Sequence, residues 1–331
     1  ATDAPAKLGL DELRRALDDL LTTVPAAQDR GRPRLWVDRA FAARGAGTVV
    51  TGMLTDGVLR AGDEVEVQPA GLKARIRALQ NHYEERKELP PGTRCALNLV
   101  GVAHTQVQRG DVVVVPGQWH PTTVLDASLQ VLDQLNHSVS RRGAHVAYLG
   151  AGEHPVRMRI LGPEALGPGR EGSVRLFLPR SLPLLPGDRF VLRESGRSET
   201  VGGGCVLDVD PRERASRARP DRSVDRVVRE RGWVGSDELE RLTGERREPD
   251  VGQWVVDPEA LQTTLAGLRE ALDESGPLGV ELSSLDDYQR AAAVLLDEAT
   301  VDGGRLRVTD AADPLVDHPF VAALEGTPFA P

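Results

Sequence analysis

Apolar residues recur at helical spacing near the start of the chain and then give way to alternating positions. Leucine and valine residues three or four apart predict an amphipathic helix over residues 10–24, which Pro25 ends. Short alternating runs, separated by glycine-bearing turns, predict strands over most of residues 32–211. Beyond residue 220 the apolar spacing is helical again. The pattern therefore predicts a mainly β protein with helical segments at both ends.

The strand-rich part is organised around one stretch, Arg44-Gly-Ala-Gly-Thr-Val-Val-Thr-Gly52. Gly45 and Gly47 allow backbone conformations that a Cβ atom disfavours. The four residues that follow are β-branched, and such residues suit a pleated strand. Since residues 35–41 also alternate, we expect two strands joined by a glycine turn within a small β-barrel.

Three segments around this hairpin carry a family resemblance. They are Val58-Leu-Arg-Ala-Gly-Asp-Glu-Val-Glu-Val67, Pro91-Gly-Thr-Arg-Cys-Ala-Leu-Asn-Leu-Val-Gly101 and Arg109-Gly-Asp-Val-Val-Val-Val115. In this order they resemble the second domain of translational GTPases such as elongation factor Tu. The version at 94–101 is most similar to that of the selenocysteine-specific elongation factors. Residues 190–204 resemble the closing hairpin of the third domain of elongation factor Tu.

The resemblance implies a fold class and a domain order. The fold class is mainly β, with two translation-factor-type β-barrels followed by an α-rich winged-helix region. Residues 1–31 would be the end of a GTP-binding domain and a linker, 32–120 the domain II barrel and 121–211 the domain III barrel. Residues 212–331 would be a linker and a winged-helix-like region, which we expect to be truncated.

Charge is distributed unevenly along the 331 residues, whose formal net charge is −9. Residues 248–331 contain 4 basic and 17 acidic residues, whereas the remainder contains 37 basic and 33 acidic residues. An RNA-facing surface is therefore expected in the first three quarters of the chain. The two cysteines indicate no disulfide framework, and no apolar run is long enough to span a membrane. We expect a cytoplasmic protein with no membrane partner.

The lysines exclude a phosphate-binding P-loop in this chain, because that motif needs a lysine directly after a glycine. The three lysines are Lys7, Lys73 and Lys87, and none follows a glycine. We therefore expect no cofactor here, and the resemblance implies GTP and Mg²⁺ on the missing domain. Enzyme status stays open, since the family hydrolyses GTP but this chain should be inactive alone. Residue spacing indicates no metal site and no catalytic residues.

A candidate binding site lies on the strand around residues 94–100. Cys95, Leu97 and Leu99 share one face, which alternation assigns to the core, so Arg94 points outward, free to hold an anion near the barrel rim. The same alternation places Asp38 and Arg39 on opposite faces of the first strand.

In the family that this chain resembles, the selenocysteinyl end of the tRNA lies against domain II. Its pocket uses an acidic-basic pair in the first strand and an arginine after a turn glycine, positions that Asp38, Arg39 and Arg94 match. A selenol is more acidic than a thiol, and a nearby cation favours its anionic form. An arginine could therefore separate selenocysteine from serine. The strand pattern alone favours an ordinary surface ion pair for Arg94, and the family resemblance reverses that preference.

Other arginines are candidates for contacts with tRNA phosphates, although a solvated surface explains each of them equally well. They are Arg44, Arg141, Arg142, Arg193 and Arg197. The expected partners are selenocysteinyl-tRNA, the ribosome, and a selenoprotein mRNA hairpin read by winged helices missing from this chain.

Three other readings remain open. The chain could be a fragment of another translational GTPase, similar to elongation factor Tu or to an initiation factor γ subunit. The helical region after residue 220 counts against this interpretation, because elongation factor Tu ends with its third domain. A winged-helix regulator that binds DNA would need a basic surface, whereas residues 248–331 are acidic. An enzyme acting alone is the weakest alternative, because no nucleophile and base can be assembled from the sequence.

Overall fold

The computed structural model describes residues 1–45 and 47–309, together with Pro319. The first predicted helix is present as α1 (Leu10–Thr23). None of its residues is buried, and its apolar side chains, Leu13 and Leu21 among them, are exposed. Helix α1 therefore adds nothing to the cores of the described part of the chain.

The first barrel closes from six strands, in the order β4-β9-β1-β2-β8-β5 with β5 paired back to β4. Strand β6 pairs with β5 at the edge of this sheet, and β3 pairs with β7. The strands are β1 (Arg34–Ala43), β2 (Gly47–Thr55), β3 (Leu59–Arg60), β4 (Glu64–Gln68), β5 (Leu72–Asn81), β6 (Glu84–Arg86), β7 (Glu88–Leu89), β8 (Thr93–Val100) and β9 (Val112–Val114). Inward side chains such as Leu35, Val50, Ile76 and Leu97 fill the interior, because alternate residues of each strand face it.

The second barrel is also closed, in the order β10-β15-β13-β12-β16-β17. Its strands, with a small β11–β14 sheet beside them, are β10 (Pro121–Val131), β11 (Val139–Ser140), β12 (His145–Leu149), β13 (Gly152–Leu161), β14 (Ala165–Leu166), β15 (Glu171–Pro183), β16 (Arg189–Glu194) and β17 (Glu199–Asp208). Close strand contact explains the glycines of β17, since a Cβ at Gly204 would lie 1.8 Å from the carbonyl oxygen of Ser128. The predicted mainly β fold with two barrels is confirmed.

The remaining described segments contain four helices and five short strands. They are α2 (Val224–Arg231), β18 (Trp233–Gly235), α3 (Ser236–Thr243), β19 (Trp254–Val256), α4 (Pro258–Ser275), β20 (Val280–Glu281), α5 (Asp287–Ala293), β21 (Ala299–Asp302) and β22 (Arg305–Val308). Asp257 caps α4 by accepting hydrogen bonds from the amides of Glu259 and Ala260, at 3.1 and 3.4 Å. A further helical start predicted at residues 318–324 lies outside the described residues, apart from Pro319. None of the helices that are described is long and apolar enough to cross a membrane.

The C-terminal region is divided between two hydrophobic cores. Valines of α2 and leucines of α3 belong to the same buried cluster as the second barrel. Leu265 and Leu268 of α4 belong to a separate cluster with Ala292 of α5. Arg226 of α2 adds a buried ion pair with Asp208 of β17, at 2.8 Å. Helices α2 and α3 are therefore packed on the second barrel, and the sequence-based domain boundaries stay predictions.

The two barrels contact each other through an aromatic side chain. Trp36 of β1 is buried and packs in the cluster of the second barrel. A Cβ at Gly150, which has a φ of 55°, would lie 2.1 Å from the Trp36 ring. Beside this contact, Arg180 donates a hydrogen bond of 2.8 Å to the carboxylate of Asp111. These contacts fix the orientation of one barrel against the other.

Candidate functional site

Asp38 lies in a β-bulge of β1. Val37 is opposite Gly52 and Arg39 is opposite Thr51, so Asp38 has no directly paired residue on β2. An extra residue in one strand resets the alternation of side chains. Asp38 therefore lies on the outer face with Thr51, whose hydroxyl donates a hydrogen bond of 2.5 Å to its carboxylate. The prediction that Asp38 and Arg39 lie on opposite faces is wrong for this reason.

Arg94 of β8 forms an ion pair with the carboxylate of Asp38. Its side chain is 58% exposed, whereas that of Asp38 is 20% exposed. The amide of Asn81 donates a hydrogen bond of 2.8 Å to the Arg94 carbonyl, which joins the end of β5 to β8. Arg94 points outward as predicted, and it forms a surface ion pair, the alternative that the strand pattern left open, because the bulge brings Asp38 to it.

Charges around Asp38 keep its carboxylate ionised. Partial burial by itself would raise the pKa of the Asp38 carboxyl, but the hydrogen bonds from Thr51 and Arg94 and the nearby charge of Arg39 outweigh it. The pKa is therefore below its usual value. Two guanidinium groups and one carboxylate leave this group of residues with one net positive charge, so it can attract a single anion.

A groove of about 460 Å³ begins beside Arg94. Its walls include Phe41, Val49 and Tyr83, so most of its surface is apolar or aromatic. The side-chain oxygen of Asn98 is buried here and has no hydrogen-bond partner among the described residues. A groove with apolar walls and a few polar groups can hold a small organic group and orient it.

Tyr83 reaches the groove because of a tight turn between β5 and β6. Asn81 pairs with Glu84, and the two residues between them have φ values of 50° for His82 and 66° for Tyr83. The Tyr83 side chain is 100% exposed at the rim of the groove. This turn was not predicted, because His-Tyr has none of the glycine, asparagine or aspartate residues that usually mark such turns.

The arginines proposed for RNA contacts do not form one surface. Arg141 and Arg142 line a cleft of about 550 Å³, which they share with Arg159 and Glu164. Arg159 was not among the arginines predicted to contact RNA. The alternation of β13, which places Arg159 on the outer face, could have indicated it. No ion pair of these three arginines occurs within the described part of the chain, so the cleft is suited to phosphate groups.

The other three candidate arginines lie elsewhere. Arg193 donates a hydrogen bond of 2.8 Å to the Ser198 carbonyl, and Arg197 lies 3.5 Å from the carboxylate of Glu194. Arg44 is exposed in the turn between β1 and β2. These three are therefore not part of the arginine cleft.

Family models match both barrels. Residues 47–114 match the model of elongation factor Tu domain 2. Residues 122–213 match the model of the β-barrel domain of the selenocysteine-specific elongation factor. Of the three predicted pocket residues, Arg94 lies inside the first match, whereas Asp38 and Arg39 precede it.

Curated relatives are similar over more than half of the chain. The selenocysteine-specific elongation factor of Desulfomicrobium baculatum is 32% identical over 200 residues, which are 60% of this chain and 32% of that protein. Elongation factor Tu 2 of Streptomyces avermitilis is 33% identical over 184 residues, 53% of this chain and 45% of that protein. The matched part of the chain thus spans 32% to 45% of the length of these relatives.

Solved structures extend the likeness in fold beyond the barrels. A bacterial selenocysteine-specific elongation factor has a TM-score of 0.71 at 20% identity, covering 92% of this chain and 55% of that one. The elongation factor SelB of Methanococcus maripaludis has a TM-score of 0.54 at 21% identity, covering 63% and 50%. With the two family models and the Desulfomicrobium relative, these likenesses lead to one conclusion: the chain is a homologue of the selenocysteine-specific elongation factors.

Proposed function

We propose that this chain holds selenocysteinyl-tRNA for delivery to the ribosome at a recoded UGA codon. The aminoacyl end of the tRNA would lie in the groove beside Arg94, on the barrel that matches elongation factor Tu domain 2. The observation that carries the proposal is the ion pair of Asp38 with Arg94 at the edge of this groove. It provides an oriented cation where the side chain of the amino acid would lie.

The cation would distinguish selenocysteine from serine by charge. A selenol loses its proton more readily than a thiol, and a nearby guanidinium favours the anion further. The serine hydroxyl stays neutral at the same position and gains no charge-assisted hydrogen bond. Such a bond contributes about 1.5–3 kcal/mol, which is a preference of roughly tenfold to a hundredfold.

Asp38 would act as a positioning residue in this scheme. Its ion pair and its hydrogen bond with Thr51 orient the Arg94 guanidinium along the outer face of the barrel. Its negative charge offsets one of the two cations. One net positive charge remains, so a single selenolate would neutralise the pocket.

The second barrel would contact the tRNA backbone. Arg141, Arg142 and Arg159 line one cleft, and we expect phosphates there, whereas Arg44, Arg193 and Arg197 would contribute at most isolated contacts. Contacts of this kind position an RNA without reading its sequence.

The C-terminal region would act as a spacer or docking unit. The order of α4, β20, α5, β21 and β22, with β22 central in a three-stranded sheet, supports the winged-helix interpretation. Residues 248–331 are acidic, so they would repel an RNA backbone. We therefore propose that the mRNA hairpin binds outside residues 248–331. With the ribosome as its partner, the protein would act in the cytoplasm.

GTP and Mg²⁺ would bind outside these 331 residues, because none of the three lysines follows a glycine. Titration of the chain with a fluorescent GTP analogue should give no saturable signal. Saturable binding at micromolar concentration would show that a nucleotide site exists in this chain.

The decisive experiment compares selenocysteinyl-tRNA with seryl-tRNA on the same tRNA, measured as protection of the aminoacyl ester from hydrolysis. The assay uses the factor joined to a GTP-binding domain, since the family clamps the acceptor end with both. Preferential protection of the selenocysteinyl form supports the proposal. The similarity to elongation factor Tu 2 favours one alternative, a general aminoacyl-tRNA carrier, and equal protection of other aminoacyl-tRNAs would support it instead.

A further inference from the structure

A second cavity lies at a junction of three chain segments. The segments are the linker at residues 30–32, the turn at 117–118 between the barrels, and α3 with the loop after it. The cavity has a volume of about 430 Å³ and shares no lining residue with the groove beside Arg94. Four arginines and two carboxylates line it: Arg30, Arg32, Arg241 and Arg246, with Asp237 and Glu240. We call it the junction cavity.

Arg32 is the buried member of the junction cavity. It is 4% exposed, and its guanidinium donates hydrogen bonds to the main-chain carbonyls of Gln118 and Glu240. The guanidinium carbon lies 5.0 Å from the centre of the Trp119 ring. Both hydrogen-bond partners are neutral, and Arg32 forms no ion pair within the described residues. A buried cation without a counter-ion is unfavourable, so the cavity lacks an anion that would stabilise Arg32.

The remaining charges do not compensate for Arg32. Arg30 is already paired with Asp56. Arg246 is mostly exposed and lies 3.6 Å from the carboxylate of Glu240, and Arg241 has no ion pair in the part of the chain that is described. The pKa of Arg32 is lowered to about 10, mainly by burial; the charges of Glu240 and Asp56 oppose this effect, whereas those of Arg241 and Arg34 add to it. The junction cavity therefore has an excess of positive charge.

We infer that the junction cavity is a binding site for a phosphate oxyanion. A guanidinium presents its N–H groups as a planar fork that matches two oxygens of a phosphate group. Arg32, Arg241 and Arg246 surround one open space, and a phosphate oxyanion there supplies the counter-ion that Arg32 lacks. The same chemistry is offered by inorganic phosphate and by a phosphate of an RNA backbone.

Occupancy of this site links separate parts of the fold. Arg32 comes from the linker between α1 and the first barrel, and Arg241 comes from α3, which is packed on the second barrel. An oxyanion that contacts both holds the linker against the C-terminal helices. The site does not depend on the groove beside Arg94, so it can be tested separately from the proposed function.

Calorimetric titration with inorganic phosphate, at an ionic strength held constant with chloride, tests the site directly. We expect saturable binding to the wild-type chain and binding weakened about tenfold or more in Arg241→Gln and Arg246→Gln. Arg229→Gln is the matched control, because Arg229 is an exposed arginine of α2 outside the cavity. Arg32 itself is left unchanged, because its burial links its loss to folding.

A second measurement separates the two sources of phosphate. Binding of the wild type and of the same variants to a short RNA duplex is followed as a function of salt concentration. If an RNA phosphate occupies the site, Arg241→Gln lowers the slope of log K against log salt by about one, while Arg229→Gln does not. Phosphate binding that is lost in Arg241→Gln with no change in this slope identifies a free oxyanion. If neither measurement distinguishes Arg241→Gln from Arg229→Gln, the inference is overturned.

Discussion

Arg34 of the first barrel and Asp188 of the second form a paired contact through two hydrogen bonds of 2.6 and 2.8 Å. The Arg34 side chain is 3% exposed and also donates a hydrogen bond of 2.9 Å to Asp56. One buried cation is thus shared by a carboxylate from each barrel. This arrangement links the two barrels by charge as well as by the packing of Trp36.

The first prediction concerns the stability of this contact. Asp188→Asn should lower the free energy of unfolding by about 3 kcal/mol, because Arg34 stays buried after losing one of its two carboxylates. Denaturant unfolding followed by circular dichroism measures the change. Glu88→Gln is the control, since the ion pair of Glu88 with Arg60 is exposed on both sides and should contribute less than about 1 kcal/mol. Equal effects of the two substitutions would mean that Asp56 alone neutralises Arg34.

The second prediction concerns pH. His154 is 1% exposed and lies beside Gly110 and the Asp111–Arg180 pair. Its pKa is lowered to about 4, mainly by burial. The charge of Arg180 adds to this effect, and a hydrogen bond with the Leu149 main chain opposes it. The unfolded chain takes up this proton near pH 6.5, so it binds more protons than the folded chain between pH 6.5 and 4. The His154 contribution to stability should therefore fall by about 2 kcal/mol between pH 7 and pH 5.

Denaturant unfolding at the two pH values measures this effect by comparison of variants. His154→Gln should remove that part of the pH dependence, whatever its effect on stability at pH 7. His104→Gln, at an exposed position, should keep it. An unchanged pH dependence in His154→Gln would contradict the prediction.

The third prediction concerns selectivity between amino acids. Arg94→Ala should lower the affinity for selenocysteinyl-tRNA by about tenfold or more and leave the affinity for seryl-tRNA nearly unchanged, because only the selenolate gains from the cation. Arg94→Lys should keep part of the preference, since the charge remains but the planar fork is lost. The ester-protection assay measures both affinities, with Arg60→Ala as a control on the same barrel. Equal weakening of both forms by Arg94→Ala would make Arg94 a general RNA contact.

The fourth prediction concerns the rim of the groove. Tyr83→Ala should leave the free energy of unfolding within about 0.5 kcal/mol of the wild type, because the Tyr83 side chain is 100% exposed. The same change should weaken tRNA binding by about 1–3 kcal/mol, the contribution of one aromatic ring stacked on a base. Unchanged affinity with an intact fold would remove Tyr83 from the binding surface. Tyr148, which lies outside the groove on the second barrel, provides the comparison Tyr148→Ala.

The local features of the fold could be read from the sequence. Cys95, Leu97 and Leu99 are buried on β8 as alternation predicted. Gly45 and Gly47 have φ values of 80° and 81° in the predicted turn. These features depend on the backbone geometry of a few consecutive residues, and the identities of those residues therefore determine them.

The binding groove depended on the tertiary structure. The bulge at Asp38 arises from the register between β1 and β2, so the sequence of β1 alone indicates the wrong face for this residue. Its ion pair with Arg94 forms only because β8 of the first barrel lies beside β2, and Tyr83 reaches the groove only through the turn after β5. The Asp38–Arg94 ion pair joins residues far apart in the sequence.

For the charged residues of the junction cavity, too, the sequence determined one part and the tertiary structure the other. The sequence determined how many arginines the chain has and that most of them lie before residue 248. It did not determine which of them meet carboxylates. Arg34 faces two carboxylates, whereas Arg32, two residues earlier, is buried against main-chain carbonyls and an open cavity. The difference arises because a charge is paired or unpaired according to the segments that fold against it, and only the packing of the barrels and α3 decides which segments those are.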